Sequence, residues 1–348
     1  DKGAELTQDD YEFVVDTNVE STVELDLDSD SGEKGDFITN ANNINLVGST
    51  EVGVRVVIED KTTGSVLAEF TTTKSSWRYV FSDLPEGTHD FVMRLEDIAG
   101  NTDSQEFSIT VDRTAPVLNV QVGDSSDIGS IVSRDKTQEF KGTVSEGTKS
   151  LTLLVNGVSH DVTINNDGTW LLQLELSEGI NNFNVIAEDV AGNSTSIQGL
   201  VHIKTSIRFN MELENDNGQF DTDSILSGTE IVVGGTGGVG DIVDLVLTND
   251  QGRELDRISI TIPSSGIWQH QFTGLQDGNY TVSADVRDDA GNTLNRVLDD
   301  IIVDNVNEGF TAQIIDDNGI VDDSIVSTVK PIFKGAGEVG SLVTIVIN

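Results

Sequence analysis

The chain has no cysteine and only 20 basic residues against 60 acidic ones, a formal net charge of −40. Small secreted domains usually rely on disulfides, so stability here must come from packed cores, with bound metal a further candidate where acids gather. So acidic a surface excludes general nucleic-acid binding, which needs a basic footprint, and disfavours docking on an anionic membrane. No apolar run reaches the ~18 residues of a transmembrane helix, so membrane insertion is not expected, and no signal peptide is visible. Helical periodicity is missing too, over any stretch of about 12 residues. There is no cysteine nucleophile, and His89, His160, His202 and His270 neither recur at one place nor show metal-ligand spacing. Acids are plentiful, but they lie on repeated loops rather than paired in a cleft as glycosidase chemistry requires. The chain is therefore not expected to be an enzyme.

What is present is repetition. Hydrophobic residues, at 36%, suffice for several small cores, and 348 residues suit about three domains of about 100 residues. Asp97-Ile-Ala-Gly-Asn101, Asp189-Val-Ala-Gly-Asn193 and Asp288-Asp-Ala-Gly-Asn292 are one turn written three times, and Trp77, Trp170 and Trp268 keep the same rhythm of about 92–99 residues. A closing strand follows each turn: Phe107-Ser-Ile-Thr-Val-Asp112, Leu200-Val-His-Ile-Lys204 and Ile301-Ile-Val-Asp304, with Phe13-Val-Val-Asp16 ahead of them. These markers predict the last strand of a preceding repeat over 1–16, complete repeats over 17–115, 116–205 and 206–306, and the start of a fourth over 307–348. The parent protein is expected to be longer.

Each repeat reads as strand. Asn45-Leu-Val-Gly48, Val52–Ile58, Trp77–Phe81, Phe91–Leu95 and Phe107–Val111 are short, β-branched or aromatic, and mostly alternating. Thr63-Gly64, Pro85-Glu-Gly87 and Ala99-Gly-Asn101 separate them, the Gly-Asn pair supplying the positive φ of a tight hairpin. About seven strands with turns every 8–12 residues predict an all-β fold of tandem immunoglobulin-like sandwiches in an elongated, monomeric rod. At ~3.3 Å per strand residue, three and a half units would extend to roughly 130–150 Å. One Trp at a fixed place per repeat is expected to anchor a core rather than form a sugar platform.

Acids cluster early in each repeat. The first has Asp26-Leu-Asp28-Ser-Asp30-Ser-Gly32 and Asp36, the third Asp216-Asn-Gly218 with Asp221 and Asp223, and the fourth Asp316-Asp317-Asn-Gly319 with Asp322 and Asp323; the second is thinner, with Asp124 and Asp127. Calcium takes six to eight oxygens from carboxylates, amides, carbonyls and water, and such loops can wrap it, although the spacing is not that of an EF-hand. The competing reading is a solvated Asx turn. Crowded like charges would destabilise an empty loop, which favours calcium. In a sandwich, the acidic loop of one domain should meet the linker and last hairpin of the next. Asp28, Asp30, Asp36, Asp112, Asp189 and Asn193 would then share one joint, with Asp16, Asp97 and Asn101 or Asp288 and Asp304 in the corresponding roles elsewhere. Without the ion, the short linker Arg113-Thr-Ala-Pro116 would let the domains swing. The linker after the second repeat carries Lys204 in place of Asp, so that joint is predicted to be weaker, differently built or metal-free.

The ordered markers resemble the bacterial immunoglobulin-like repeats of giant type I-secreted adhesins and biofilm-associated surface proteins. They are Asp28-Ser-Asp-Ser-Gly32, Asp36-Phe-Ile-Thr-Asn40, Gly335-Ala-Gly-Glu-Val-Gly340, Gly168-Thr-Trp170, Gly87-Thr-His89, Asp97-Ile-Ala-Gly-Asn101 and Val111-Asp-Arg-Thr-Ala-Pro116. The pattern is similar to giant non-fimbrial adhesins of the Salmonella type and to ice-binding adhesin stalks. That resemblance implies a secreted, cell-surface stalk that binds calcium in and between domains. It would carry a binding region toward a host-cell or surface receptor, a glycan among the candidates, or into a biofilm. Two alternatives stay open: accessory modules of a secreted multidomain glycan-active enzyme, and a repeat that binds glycan directly, for which Gly234–Gly240 offers an unusual loop or simply a flexible strand connection.

Overall fold

The computed structural model describes residues 15–217, 223–306, 309–315, 332–337 and 341–346. Most of the expected closing strand at 1–16 and Asp221, Asp317 and Asp323 lie outside them. Among the described residues every regular element is a strand.

The first repeat contains β1 (Ser21–Leu25), β2 (Ile38–Thr39), β3 (Asn43–Thr50), β4 (Arg55–Asp60), β5 (Val66–Thr71), β6 (Ser76–Ser82), β7 (Gly87–Glu96) and β8 (Thr102–Val111). The second contains β9 (Leu118–Val122), β10 (Ile131–Ser133), β11 (Thr137–Val144), β12 (Thr148–Val155), β13 (Val158–Asp161), β14 (Thr169–Glu175), β15 (Gly179–Asp189) and β16 (Ser194–Ile203). The third contains β17 (Glu212–Leu213), β18 (Ile225–Leu226), β19 (Glu230–Thr236), β20 (Ile242–Asn249), β21 (Glu254–Thr261), β22 (Ile267–Thr273), β23 (Gly278–Arg287) and β24 (Thr293–Val303). The sheets repeat one topology. Three-stranded β1-β3-β6 faces five-stranded β2-β8-β7-β4-β5, and the same pattern returns as β9-β11-β14 with β10-β16-β15-β12-β13, and as β17-β19-β22 with β18-β24-β23-β20-β21. The short β2 and β18 run parallel to β8 and β24, while the remaining recorded pairs are antiparallel. Beyond the third repeat, β25 (Thr311–Ile315) pairs antiparallel with β26 (Ile332–Ala336), as β1 pairs with β3. By compactness the chain divides into two units, Asp1–Ile131 with Thr137–His202, and Val132–Lys136 with Ile203–Asn348.

Alternation dictates the cores. Along β15 the side chains of Asn181, Phe183, Val185, Ala187 and Asp189 turn inward and their neighbours are more exposed, as a period of two requires. Trp77, Trp170 and Trp268 are buried, which makes them core anchors. Each stands across the sheet from a glycine, Gly48, Gly142 or Gly235; at Gly48 and Gly142 the missing side chain leaves room for the indole, and at Gly235 for the Asn210 main chain. In the third repeat Phe209 stacks on Trp268 with centroids 5.2 Å apart. Gly234 and Gly235 belong to β19 and Gly237–Gly240 to the turn after it, so the glycine-rich segment is a strand and its connection.

Two details differ from expectation. Val52–Val54 forms a turn with Gly53 at φ 93°, so the strand begins only at Arg55. In the three Ala-Gly-Asn turns only glycine takes positive φ (Gly100 89°, Gly192 84°, Gly291 80°), which leaves the asparagine another task. A further repeated contact uses three residue types. Two residues after the glycine that opens β7, β15 or β23, a side chain reaches back four residues to a carbonyl: His89 Nε2 to Pro85 O at 2.9 Å, Asn181 Nδ2 to Ser177 O at 2.8 Å, and Tyr280 Oη to Gln276 O at 2.7 Å. This is the corner hydrogen bond of immunoglobulin-like sandwiches, and it gives His89 a structural role.

Candidate functional site

The Asp-x-Ala-Gly-Asn turn is a closed carboxylate–amide unit. Asp97 Oδ1 accepts Asn101 N at 2.8 Å and its Oδ2 accepts Asn101 Nδ2 at 2.7 Å. Asp189 with Asn193 and Asp288 with Asn292 repeat this at 2.8–3.0 Å. Burial acts to raise the Asp97 carboxyl, but hydrogen bonds from the Asn101 side chain and from the amides of Asn101, Gly100 and Ala99 outweigh it and hold it below the usual carboxylate value.

The asparagine also grips the incoming chain. Asn193 Nδ2 donates to Asp112 O at 2.9 Å, and Asn292 Nδ2 donates to Lys204 O at 2.8 Å. Because the acceptor is a main-chain carbonyl, the side chain at that position can change from Asp to Lys without losing the bond.

Within the first compact unit, the acidic loop of the first repeat lies against the 189–193 turn. Ser31 Oγ donates to Ala191 O at 2.6 Å, Asn40 Nδ2 donates to Asn193 Oδ1 at 3.1 Å, and Lys149 pairs with Glu33 at 3.2 Å. Gly32 (φ 63°) packs so closely on this turn that a Cβ would overlap Val190 O and lie 2.9 Å from Ala191 C and Gly192 N. The linker is tied as well: Arg113 Nη2 donates to Ala41 O at 2.8 Å and Thr195 Oγ1 to Pro116 O at 2.7 Å. The linker, expected from the sequence to let the domains swing in the absence of calcium, is thus bonded directly to both repeats.

Inside the loop, Asp30 is 3% exposed. Its Oδ2 accepts Gly35 N at 2.5 Å, and its Oδ1 is buried without a partner. The Lys34 ammonium bonds the main-chain oxygens of Leu27, at 3.0 Å, and Asp30. The third repeat has a counterpart. Ser31 Oγ accepts the amide of Asn40 as Asn217 Oδ1 accepts that of Ser227, which sets Asp30 level with Asp216. Asp216 Oδ2 accepts Ser224 N at 3.1 Å, and its Oδ1 is again buried and unpartnered. Asp36 and Asp223 cap Ile38 N and Ile225 N at 2.8 and 3.1 Å, each followed by a left-handed residue, Phe37 or Ser224.

The remaining sequence candidates sit apart. Asp16 and Asp28 are exposed. Asp112 and Asp304 bond amides two residues on, Thr114 N and Val306 N. Asp127 is exposed on an Asx turn to Gly129 N, and Lys141 lies 3.7 Å from its loop neighbour Asp124. Among the described residues no three acidic or histidine side chains converge as a metal-holding group. A cation at the first joint would therefore draw on Asp30 Oδ1 and main-chain oxygens as well as on acids. Asn40, Ser31 and Gly32 were not singled out as site residues from the sequence; the only signal was Gly32 and Gly192 in facing turns.

These repeated sandwiches, each with an Asp-Asn turn before its last strand, define a tandem immunoglobulin-like repeat protein. The chain belongs to the bacterial Ig-like domain family, which matches residues 5–113 and 202–305. Residues 125–205 match a second family, domain B of glucodextranase. No curated protein matches the chain. Among solved structures it is similar to a tetra-tandem repeat in the extending region of a large adhesion protein, at 21% identity over 83% of this chain and 75% of that one, with a TM-score of 0.37. It is also similar to a structure of a 1.5-MDa bacterial ice-binding adhesin, at 16% identity over 83% and 99%, TM-score 0.30. Fibronectin(III)-like modules of Clostridium thermocellum CbhA match at 15% identity over 53% and 94%, TM-score 0.37. No helix among the described residues is long and apolar enough to cross a membrane.

Proposed function

We propose that this chain is a non-catalytic segment of an extracellular bacterial adhesin stalk, in which calcium bound at the acidic loops stiffens the tandem repeats. The observation that carries the reading is Asp30 Oδ1, a carboxylate oxygen buried without a partner in a chain of net charge −40, with Asp216 Oδ1 as its counterpart in the third repeat. A buried, unpaired carboxylate oxygen is costly, and a hard cation offsets that cost. The donors suited to calcium are Asp30 Oδ1 and the main-chain oxygens of Leu27 and Asp30, which already hold the Lys34 ammonium. Calcium would supply charge neutralisation; this chain's residues bond the linker, close the turn and exclude bulk from the Gly32–Gly192 contact. Since the joint has direct hydrogen bonds of its own, calcium adds to its stiffness rather than creating the joint.

Thermal melting and small-angle scattering across a titration from chelator to millimolar calcium test this. A raised melting temperature and a single, more extended maximum dimension support the proposal; curves unchanged by calcium reject it. The match of residues 125–205 to a glucodextranase domain favours a second reading, an accessory module of a secreted glycan-active enzyme. Saturable binding of soluble α-glucans to this chain would favour it.

A further inference from the structure

We propose that the linker at Lys204 is neutralised by the protein's own cations and takes no divalent ion, so that calcium control along this chain is built joint by joint. The inference rests on the calcium reading only in its contrast with the Asp112 linker; the ammonium's own role stands on the geometry below.

All the residues concerned belong to the second compact unit. Lys204 occupies the position of Asp112, because its carbonyl is gripped by Asn292 as that of Asp112 is gripped by Asn193. Its Nζ lies 2.5 Å from Asp289 Oδ1, and its side chain is 23% exposed. Asp289 is the second residue of its turn, where the other two turns carry Ile98 and Val190. The two changes compensate: where the linker residue is acidic the turn residue is apolar, and where the linker residue is Lys the turn gains an acid. A third acid joins them. Asp241, just before β20, is 4% exposed, and its carboxylate lies over Gly238. Desolvation raises the Asp241 carboxyl, the Lys204 charge opposes that rise, and Asp288 and Asp289 add to it. For Lys204 burial acts to lower its pKa, but the hydrogen bond to Asp289 and the fields of Asp289, Asp241 and Asp288 hold it above the usual lysine value. A second cation reaches the same turn, since Arg134 Nη1 donates to Gly291 O at 3.2 Å. At the 189–193 turn the donor from outside is the neutral Ser31 hydroxyl, to Ala191 O, one position earlier in the turn.

A divalent ion entering here would have to displace an ammonium already paired with Asp289 and facing two further acids. At the Asp112 joint the turn residue is the apolar Val190, and the Lys34 ammonium of the facing loop is bonded to the main-chain oxygens of Leu27 and Asp30 rather than to a carboxylate.

Hydrogen–deuterium exchange on the full chain, with and without millimolar calcium, tests this in segments 203–205 and 288–292, with 189–193 as the internal comparison. The expected result is that calcium leaves the first two segments unchanged in the wild type. Lys204→Met should accelerate their exchange by roughly tenfold in chelator, as loss of a partly buried ion network implies, while Lys204→Arg stays near wild type. Slowing of 288–292 by calcium in the wild type overturns the proposal, as does wild-type exchange in Lys204→Met. If Lys204→Met unfolds the third repeat, the wild-type calcium arm alone decides. A calcium effect missing from 189–193 as well defeats the calcium reading, and the Lys204→Met and Lys204→Arg pair then decides the ammonium's role independently.

Discussion

Replacing Gly32 with Ala isolates the contact between the first acidic loop and the 189–193 turn. The glycine sits at φ 63°, and a left-handed conformation costs a residue with a Cβ roughly 1–2 kcal/mol. The new methyl would also overlap Val190 O, and forcing an atom into packed structure adds about 1–3 kcal/mol. Gly35 provides the control: at φ 88° it has the same backbone penalty, but nothing lies within 4 Å of its Cβ position. Gly35→Ala is thus expected to cost about 1–2 kcal/mol and Gly32→Ala about 2–5 kcal/mol in urea unfolding. The opposing atoms belong to the turn, so the excess should appear as faster hydrogen exchange over 189–193 and not in the β3 and β7 core. Equal losses for the two variants, or a larger loss for Gly32→Ala without loosening of that turn, would refute the reasoning.

Asp30→Asn, measured in chelator, relieves the buried, unpartnered Oδ1 and should raise stability by about 1 kcal/mol; a clear loss would mean that Oδ1, like Oδ2, has a protein partner. Asn193→Ala removes the bonds to Asp112 O and Asp189 and should cost about 1–3 kcal/mol, with Asn292→Ala matching it at Lys204 O; effects below about 0.3 kcal/mol in urea unfolding would deny the carbonyl grip any weight. The Ser259 hydroxyl holds Asp244 below the usual carboxylate value and Arg287 assists, while burial opposes them. A carboxyl lowered in this way stabilises the fold above its unfolded value, about 3.9, and loses that contribution as pH falls through the lower folded value. Arg287→Met should therefore flatten the acid side of the stability profile below about pH 4, and an unchanged acid limb contradicts the assignment.

Much of the fold was legible because its signals are local. Alternating apolar residues and single tryptophans marked the strands and cores, and Gly100, Gly192 and Gly291 marked the hairpins. The start of β4 was misplaced because Val52 and Val54 alternate like strand residues while Gly53 turns the chain. The sites were less legible because they depend on main-chain partners. Asn193 acts on a carbonyl 81 residues earlier, which carries no signature in its side chain. His89, Asn181 and Tyr280 make one corner bond with three chemistries, so no shared letter reveals it. The burial of Asp30 and Asp241, among a crowd of exposed acids, emerges only from the packing. Lys204 could be read as an exception from its sign alone; its partner Asp289 needed the turn's geometry.

Calcium binding by isothermal calorimetry, on the wild type and on Asp30→Asn, tests the central claim most directly. Saturable binding by the wild type, with at least one site missing from Asp30→Asn, is the expected result. No binding, or an isotherm that Asp30→Asn leaves unchanged, would contradict the assignment of the acidic loop as a calcium site and leave the joint between the first two repeats held by its hydrogen bonds alone.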